Sequence, residues 1–518
     1  MSFINNKNTI RIVLISSFII LNACLLFGLS SILQYLNSGA SRSSMLHLEK
    51  ETINTYLPKV TWQNNINVGR EMEPNTLKMI EKDYLFSWYV RNKSLEKNKK
   101  QGIEDFYSKS ARINLYQSIA YNLKNKIAIE STTIKHNPKL EFYSEDGQQV
   151  VFTDKNVIEY QKVFKDEKLI TEVQDTATYK VLMLLEDGFW RVRHFQKMKP
   201  EPFAKDTLKS NPEFKIDAKK IKYKNADFII KGINYYPKKS AWDTFGVLFN
   251  KDTIAKDFDI IKKAKLISIR IFVQYDDFGK ANVNPEKLKK LKILLDLAEE
   301  KNLKVIVTLF DFYSDYTLES WTLTSRHAEK IVSEFKKHKA VLAWDIKNEP
   351  NLDFENRNKK NVLSWLQQMI TIVKENDPNH LVTIGWSNSY EATNLEDKVD
   401  FVSYHFYNSI ADFETENATL EKFTKKPVVI QEFGVPSYHG FWNWTGNNEE
   451  DQAEYYKKIQ AKFKKNKVSF MSWTLYDFPN VPDQVAGKWP WQKNKQKNFG
   501  FINSKGKIKP SFEFITYD

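Results

Sequence analysis

Cysteine is nearly missing from this chain of 518 residues, which contains one, Cys24. A single cysteine excludes an intramolecular disulfide framework and a zinc site built from cysteines. Glycine and proline are scarce as well, with 16 residues of each, which excludes collagen-like and low-complexity chains. The 42% of hydrophobic and 14% of aromatic residues exclude disorder of the whole chain, and the length suits about two to four domains.

Motifs that hold metals, phosphates or nucleic acids are also missing. We find no HExxH motif, no cluster of cysteine and histidine, no EF-hand loop and no glycine-rich phosphate turn, so we predict no metal and no cofactor. The 78 basic residues exceed the 64 acidic ones and give a net charge of +14. Because the lysines are spread along helix-like faces, we interpret this charge as a solvated surface and predict no nucleic-acid partner.

A long uncharged run lies near the N-terminus. No charged residue occurs in 12–41, and residues 12–33 are almost entirely apolar. A helix of that length, roughly 33 Å, can cross a hydrocarbon core of about 30 Å. Lys7 and Arg11 precede the run, so we predict that residues 1–40 form an uncleaved signal anchor with the N-terminus inside and the rest of the chain outside the cytoplasm.

Two alternatives to the anchor remain open. The run is longer than the apolar stretch of a cleaved signal peptide, which disfavours cleavage. The segment Leu21–Cys24 is similar to a bacterial lipobox, with Cys24 as the lipidated residue. The chain stays apolar from Leu25 to Leu36, however, where a lipoprotein would turn polar, and this favours the anchor.

A tether and a small α+β domain are predicted to follow. Residues 41–72 are polar, and 75–126 show apolar residues at helical spacing. Residues 127–196 alternate apolar and polar side chains, with tight turns at Asp146-Gly147 and Asp187-Gly188. Helices followed by antiparallel strands predict an α+β domain at 73–200, which weakly resembles the nuclear-transport-factor-2-like superfamily. That fold hosts many functions, and we interpret the domain as a packing or spacer module.

Residues 201–226, rich in lysine and proline, are predicted to form a linker. Strand and helix patterns then alternate over 227–518, with helices for example at Pro285–Lys301 and Lys359–Glu375. The predicted strands are Phe228–Asn234, Ile267–Val273, Lys304–Leu309, Val341–Asn348, Leu381–Gly385, Phe401–His405, Val428–Glu432 and Phe470–Thr474. Eight strands with intervening helices predict a (β/α)₈ barrel, an α/β fold, rather than an open doubly wound sheet, which usually carries a glycine-rich phosphate turn.

Candidate catalytic residues lie at the ends of these strands, where such a barrel carries its active site. They are Arg270, Asn348, Glu349, His405, Tyr407, Glu432 and Trp473. Glu349 ends the segment WDIKNEP, in which Pro350 stops the strand, and Glu432 ends the apolar segment PVVIQE. If these are the fourth and seventh strands, the two carboxylates face each other across the barrel mouth. Glycosidic cleavage needs such a pair, one to protonate the leaving oxygen and one to attack or to activate water.

From about Phe228 to Ser511 the sequence resembles a clan A retaining glycoside hydrolase, and it is most similar to family 5, which contains cellulases and mannanases. The Asn-Glu-Pro motif after WDIK and the Glu-Phe-Gly motif at Glu432 together carry this resemblance. It implies that Glu349 is the general acid/base and Glu432 the nucleophile. It also implies that Asn348 holds the sugar 2-hydroxyl.

The resemblance further implies that Tyr407 touches the nucleophile and that His405 lines the reacting subsite. An arginine in an apolar strand needs a partner, so we expect Arg270 to hold Glu432 ionised. The charge of Glu432 is expected to raise the pKa of Glu349, which must stay protonated until the bond breaks.

One position departs from the family. Strand three commonly ends in histidine in family 5, whereas this sequence has Phe310 there, followed by Asp311. The departure leaves the identity of the sugar open.

Tryptophans support a carbohydrate substrate, because their rings stack on the C–H faces of pyranosides and their N–H groups bond hydroxyls. The tryptophans predicted on the substrate face are Trp242, Trp321, Trp386, Trp442, Trp444, Trp473, Trp489 and Trp491. Trp473 is the expected platform under the cleaved sugar. Trp344 and Trp365 are expected in the core.

Taken together, these features predict a membrane-anchored retaining β-glycosidase that acts on a β-linked glycan such as a β-glucan or β-mannan. A transglycosylase that uses the same glutamates is an alternative. A catalytically silent glycan-binding or scaffold component of a polysaccharide synthesis or export complex is another.

Overall fold

A computed structural model of the chain describes residues 7–38, 55–63, 70–198, 212–439 and 446–517. The chain divides into two compact units, residues 1–204 and 205–518, which we describe separately.

The first unit begins with one long apolar helix, α1 (Lys7–Ser38). The side chains of Val13–Ser30 are all outside any protein core, and this stretch is long and apolar enough to cross a membrane, a property that a signal sequence shares. Ser17 Oγ and Asn22 Nδ2 donate to the carbonyls of Val13 and Phe18, at 2.7 and 2.8 Å. These bonds satisfy the polar groups within the helix itself, as an apolar surrounding requires.

The described residues of the first unit also form three further helices and a six-stranded sheet. The helices are α2 (Pro74–Lys97), α3 (Ile103–Phe106) and α4 (Lys109–Lys124). The strands are β1 (Lys59–Val60), β2 (Ile127–His136), β3 (Pro138–Tyr143), β4 (Gln149–Lys165), β5 (Lys168–Glu186) and β6 (Phe189–Met198), in the order β1-β2-β4-β5-β6 with β3 on β4. The likeness of this α+β unit to the nuclear-transport-factor-2-like superfamily stays a prediction.

The turns of this sheet show what the sequence pattern can and cannot predict. Gly147 and Gly188 adopt positive φ in the two predicted hairpins, a backbone conformation that glycine accepts without strain. A third turn joins β4 to β5 through Asp166 and Glu167, which both have positive φ without any glycine. No glycine in the sequence therefore marks this hairpin.

The second unit contains a closed barrel of eight parallel strands, which confirms the (β/α)₈ fold. Its strands are β10 (Lys231–Asn234), β11 (Ser268–Gln274), β12 (Lys304–Asp311), β13 (Val341–Asn348), β14 (Leu381–Trp386), β15 (Val402–Phe406), β16 (Val428–Phe433) and β17 (Ser469–Ser472). Strand β10 pairs with both β11 and β17 and so closes the barrel.

Helices surround the barrel and cover its apolar strands. They are α5 (Lys251–Lys263), α6 (Pro285–Glu300), α7 (Trp321–Phe335), α8 (Phe354–Arg357), α9 (Lys359–Asn376), α10 (Phe413–Phe423) and α11 (Glu449–Asn466). After β17 come two short helices, α12 (Asp483–Ala486) and α13 (Pro490–Lys497). Side chains of α6 such as Leu291 and Leu294, three residues apart, are fully buried, because that spacing places them on one helix face.

The prediction that residues 201–226 form a linker is wrong for part of this range. Residues 214–223 form a hairpin of β7 (Phe214–Asp217) and β8 (Lys220–Tyr223), to which β9 (Ala226–Asp227) adds a third strand. Phe214 and Ile221 are buried in one cluster with the start of the barrel, including Ile230. The alternation of apolar and lysine residues here serves a half-buried hairpin rather than an open linker.

Candidate active site

The predicted site residues other than Arg270 lie near or just beyond the C-terminal ends of barrel strands, whereas Arg270, which the sequence predicts at a strand end, is the third residue of its strand. Arg270 lies within β11, His405 lies within β15 and Glu432 within β16. Asn348 is the last residue of β13, and Glu349 follows it. Tyr407 and Trp473 each follow the end of a strand, β15 and β17. Parallel strands of one barrel end at the same mouth, which is why residues so distant in sequence meet there.

The backbone at Glu349 directs its carboxylate toward the centre of the mouth. Glu349 has φ of 46°, in the left-handed region, and Pro350 begins a short 3₁₀ turn after it. Its N–H donates to the carbonyl of Gly385 at 2.7 Å. A Cβ at Gly385 would lie 2.9 Å from Arg270 Nη2, so only glycine permits this close approach.

The two glutamates approach each other through His405. His405 Nδ1 lies 2.8 Å from Glu349 Oε1 and 3.6 Å from Glu432 Oε2. One carboxylate oxygen of each glutamate and one ring nitrogen of His405 lie within 4.8 Å of one another. Carboxyl groups in retaining glycosidases are about 5–5.5 Å apart, and those in inverting ones about 6.5–9.5 Å. The spacing here fits the retaining arrangement.

Both oxygens of Glu432 accept a hydrogen bond. Arg270 Nη1 lies 2.5 Å from Oε1, and the Tyr407 hydroxyl donates to Oε2 at 2.9 Å. Charge-assisted bonds of this kind fix the orientation of the carboxylate. The contact of Arg270 is the one expected of an arginine in an apolar strand, and the contact of Tyr407 is the one that the family resemblance implies.

Arg270 is completely buried and is held by a second carboxylate, Asp345. Asp345 Oδ2 accepts from Arg270 Nη2 at 2.7 Å, from Arg270 Nε at 3.0 Å and from the Thr308 hydroxyl at 2.7 Å. Burial alone would lower the pKa of Arg270, but the charges of Asp345 and Glu432 raise it above its ordinary value. The guanidinium therefore stays charged between two carboxylates. Sequence reasoning missed Asp345, although an aspartate inside an apolar strand also needs a partner.

Asn348 connects this network to the cavity. Its Oδ1 accepts from Arg270 Nη2 at 2.9 Å, and Asn348 also lines the cavity of about 670 Å³ at the barrel mouth. With the oxygen bonded to Arg270, the amide N–H₂ of Asn348 is the group oriented to donate to a ligand.

The pKa of Glu349 is lowered in the free protein, whereas the sequence predicts that Glu432 raises it. Burial acts to raise the pKa of this carboxyl. The hydrogen bond and charge of His405 act in the opposite direction, and the charges of Arg270 and Lys347 add to them. The prediction is wrong because the cationic neighbours outweigh burial.

Trp473 lines the cavity and is 5% exposed. Its ring meets Tyr236 edge-on, with centroids 6.1 Å apart. In the part of the chain that the structure describes, its buried indole Nε1 has no hydrogen-bond partner. A buried N–H group at a cavity wall is suited to donate to a ligand hydroxyl, since a buried polar group without a partner is costly.

The end of strand three differs from the sequence prediction because of a β-bulge. Phe272 pairs with Thr308 but Gln274 with Asp311, so β12 contains one extra residue at this point. Phe310 consequently packs on Trp365, at 5.0 Å between centroids. Asp311 lies at the barrel mouth in its place.

Asp311 is 3% exposed, and its Oδ2 lies 3.5 Å from the Tyr236 hydroxyl. Burial is the main reason that its pKa is raised to about 7, against lowering by the charges of Lys347 and Arg270. Sequence reasoning named Asp311 only as the neighbour of Phe310, since a bulge leaves no marker in the residue pattern.

The tryptophans divide into three groups. Trp321 and Trp386 are buried, so their prediction as substrate-facing residues is wrong, whereas Trp344 and Trp365 lie in the core as predicted. Trp242 is also buried and packs against Trp473, at 6.3 Å between ring centroids. Exposed indoles occur at Trp489 and Trp491. Trp442 and Trp444 lie outside the described residues.

Glu349, His405 and Glu432 are also, among the described residues, a group close enough to hold a metal ion. Arg270 places a positive charge against the carboxylate of Glu432, however, and this charge opposes a second cation at the same oxygens. The group suits proton and glycosyl transfer better than metal binding. That no cofactor takes part stays a prediction.

The barrel, with glutamates that face each other at strands four and seven, is similar to the glycoside hydrolase domains of clan A. Within that clan the domain resembles family 5: residues 226–479 match the family model described as Cellulase (glycosyl hydrolase family 5).

Relatives with curated names are similar over part of the chain. Mannan endo-1,4-beta-mannosidase A of Podospora anserina is 26% identical over 200 residues, covering 30% of this chain and 53% of that protein. Mannan endo-1,4-beta-mannosidase 1 of Solanum lycopersicum is 27% identical over 212 residues, covering 35% and 51%. The chain thus spans about half the length of these relatives. The solved exo-beta-1,4-mannosidase Op5Man5 from Opitutaceae bacterium strain TAV5 is 18% identical, with a TM-score of 0.46, covering 56% of this chain and 58% of that one.

Proposed function

We propose that the protein is a membrane-anchored retaining β-glycosidase that hydrolyses a β-linked glycan of the mannan or glucan type by double displacement. The observation that carries the proposal is the close pair of carboxylates, since one oxygen of Glu349 lies within 4.8 Å of one oxygen of Glu432. This spacing leaves room for a sugar carbon but not for an additional water in line, as a covalent intermediate requires.

The two glutamates take different roles because their partners differ. Glu432 attacks the anomeric carbon, and its bonds from Arg270 and Tyr407 hold the attacking carboxylate in one orientation. Glu349 donates a proton to the leaving oxygen and later takes one from the water that hydrolyses the intermediate. A sugar bound over the pair displaces water from Glu349, which acts to raise its pKa before proton transfer.

The sugar class is argued from the cavity and from the relatives. Trp473 offers an aromatic wall for the C–H face of a pyranose, and its Nε1, which has no partner among the described residues, suits a hydroxyl. The curated relatives above carry mannan endo-1,4-beta-mannosidase names, which favours a β-mannan among the candidate glycans.

The location is argued from α1. A helix that is apolar from Val13 to Ser30 and preceded by Arg11 supports a single span with its N-terminus inside. The full chain should then stay with membranes in alkaline carbonate. Release by carbonate contradicts the anchor, and a labelled lipid on Cys24 contradicts an unmodified span in favour of lipidation.

The activity is tested with the full chain in detergent on a panel of β-mannans, β-glucans and their aryl glycosides. We expect a reducing-end product that first appears as the β-anomer in proton NMR. Glu432→Gln is the matched control and should cleave nothing. An α-anomer as first product, or activity that survives in Glu432→Gln, contradicts the mechanism. Activity on no β-glycan contradicts the proposed function.

A further inference from the structure

Exposed lysines form an arc at the end of the barrel opposite the catalytic mouth. The ends of α10, α11 and α5, with the turns that lead from them to β16, β17 and β11, all lie at this end, because parallel strands begin together. Strands β16, β17, β10 and β11 are neighbours in the barrel, so these turns follow one another around it. The exposed lysines of these turns, which we call the basic arc, are Lys263, Lys265, Lys422, Lys425, Lys464, Lys465 and Lys467.

The hairpin of β7 and β8 joins two of these turns into one surface. Its buried side chains belong to one cluster with residues at the beginnings of the barrel strands, so the hairpin covers this end of the barrel. Lys219 Nζ of the hairpin donates to the carbonyl of Glu421, at the end of α10. Lys219, Lys426 and Lys467 line one cavity of about 310 Å³. The hairpin, the turn before β16 and the turn before β17 are therefore contiguous.

Ion pairs leave most of the charge of the basic arc unbalanced. Glu414 lies 3.8 Å from Lys465, and Asp227 of the hairpin sheet lies 2.6 Å from Lys220. At the barrel mouth, by contrast, residues 312–320 and 407–412 contain acidic residues and no lysine or arginine. Among the residues that the structure describes, the lysines of the arc without an ion-pair partner are Lys263, Lys422, Lys425, Lys464 and Lys467.

An exposed aromatic side chain lies among these lysines. Phe423, the last residue of α10, is 58% exposed and stands between Lys422 and Lys425 in the sequence. A lipid interface suits this combination, because the ring enters the boundary of headgroups and acyl chains while the lysines contact anionic headgroups. An acidic glycan offers the same negative charge without an apolar layer for the ring.

The apolar helix α1 favours lipid as the source of the negative charge. Val13–Ser30 is long and apolar enough to cross a membrane, and the proposed anchor would keep the barrel within reach of a bilayer. Clusters of roughly four to eight basic residues near a membrane are typical of proteins that bind anionic lipids. The basic arc is of this size.

We propose that the basic arc, with Phe423 among its lysines, docks the barrel on an anionic lipid surface. The arc lies where the barrel strands begin, and the catalytic mouth lies where they end. Docking therefore turns the mouth away from the bilayer and toward a glycan outside it. This inference rests on the membrane location proposed above.

The experiment measures whether position 423 enters lipid. The full chain with Cys24→Ser and Phe423→Cys is labelled with acrylodan, a dye whose emission shifts to the blue in lipid. It is then reconstituted into vesicles of phosphatidylcholine, with or without phosphatidylglycerol. We expect a blue shift, quenched by spin-labelled lipid, only where phosphatidylglycerol is present, and high salt should abolish it by screening. The same dye at Tyr390→Cys, an exposed position after β14 at the mouth, should report water throughout.

Neutral variants test whether the lysines cause the docking. Lys464→Gln combined with Lys467→Gln should lower the ratio of docked to free probe roughly 25-fold, about five-fold for each lysine. Lys505→Gln combined with Lys507→Gln is the matched control, because these exposed lysines lie beside the loop after β10, at the mouth. This control should leave the emission unchanged. Both pairs of substitutions should keep the Tm of the unchanged chain, since all four side chains are exposed.

Flotation of the vesicles separates failure of this inference from failure of the proposed anchor. If the full chain floats with both kinds of vesicle while the probe stays in water, the anchor stands and the docking is wrong. If it floats only with phosphatidylglycerol, and not after the substitutions at 464 and 467, the anchor is wrong and the docking stands. An equal blue shift on both vesicles overturns docking by charge.

A gel that contains polygalacturonate tests the other anionic partner. If the chain is retarded there through the lysines at 464 and 467, while the probe stays in water on phosphatidylglycerol, the basic arc binds an acidic glycan and the lipid proposal is wrong.

Discussion

Replacement of Asp345 by asparagine tests the buried charge network beneath the catalytic pair. Asp345 Oδ2 accepts two bonds from Arg270 and one from Thr308, and Oδ1 accepts the N–H of Gly385 at 2.9 Å. Asparagine keeps the shape and the bond from Gly385, but it turns an N–H₂ group toward the donors of Arg270. The variant thus loses the negative charge beside Arg270, and its side-chain N–H₂ group faces the N–H donors of that arginine.

The expected magnitude follows from burial. Two unit charges about 4 Å apart attract by about 4 kcal/mol at an effective dielectric constant of 20. Breaking a buried pair by removal of one partner costs about 3–5 kcal/mol. A large domain loses about 2 °C of Tm for each kcal/mol, so we expect Asp345→Asn to melt roughly 6–10 °C below the unchanged chain.

Activity separates positioning from stability in this variant. We expect kcat to fall by about 100-fold at a temperature where the variant is fully folded, because Arg270 no longer fixes Glu432 at the anomeric carbon. Asp377→Asn is the matched control, since Asp377 is buried at the other end of the barrel and accepts from Trp344 Nε1 at 2.8 Å. It should lower Tm and leave kcat unchanged.

Two results would refute the reasoning on Asp345. An unchanged Tm would mean that the pair with Arg270 does not stabilise the barrel. A lowered Tm with unchanged kcat would mean that Asp345 supports the fold but does not position the nucleophile.

Three further predictions concern the mouth of the barrel. Glu349→Ala should still release an activated aryl group, and azide should restore turnover and give a β-glycosyl azide; an inverted azide product would exchange the assigned roles of Glu349 and Glu432. Trp473→Ala should weaken transition-state binding by about 1–3 kcal/mol, read as kcat/KM, and unchanged kinetics would place the platform elsewhere. Burial raises the pKa of Asp311 to about 7, so the stability that its protonated form provides is lost as the pH rises from about 4 to 7. The Tm of Asp311→Asn minus the Tm of the unchanged chain should therefore increase from pH 5 to pH 8. A Tm difference that does not change with pH would contradict the last prediction.

The barrel could be predicted because its strands are short apolar runs bounded by polar residues. For β13 the predicted and observed bounds, Val341–Asn348, agree. The first strand was predicted from Phe228 but begins at Lys231, since Phe228 packs against the hairpin cluster instead. The local pattern of apolar residues indicates that a strand exists, whereas tertiary contacts determine the residue at which it begins.

Parts of the site could not be predicted, because they depend on three-dimensional neighbours. The lowered pKa of Glu349 results from His405, 56 residues away in sequence. The bulge in β12 places Asp311 at the position that the sequence predicts for Phe310. It depends on how the strands pair, and no residue type in the sequence indicates it. Trp386 follows the predicted end of its strand, yet it is buried, because position along a strand does not give the direction of a side chain.

The left-handed backbone of Glu349 also has a consequence for the evolution of the chain. A side chain other than glycine at φ of 46° stores about 1 kcal/mol of strain, and here it does so at the group assigned to proton transfer. Glycine would release this strain and would also remove a partly buried carboxyl group. Selection for thermal stability alone would therefore favour Glu349→Gly, whereas the proposed function requires selection that keeps glutamate at this position.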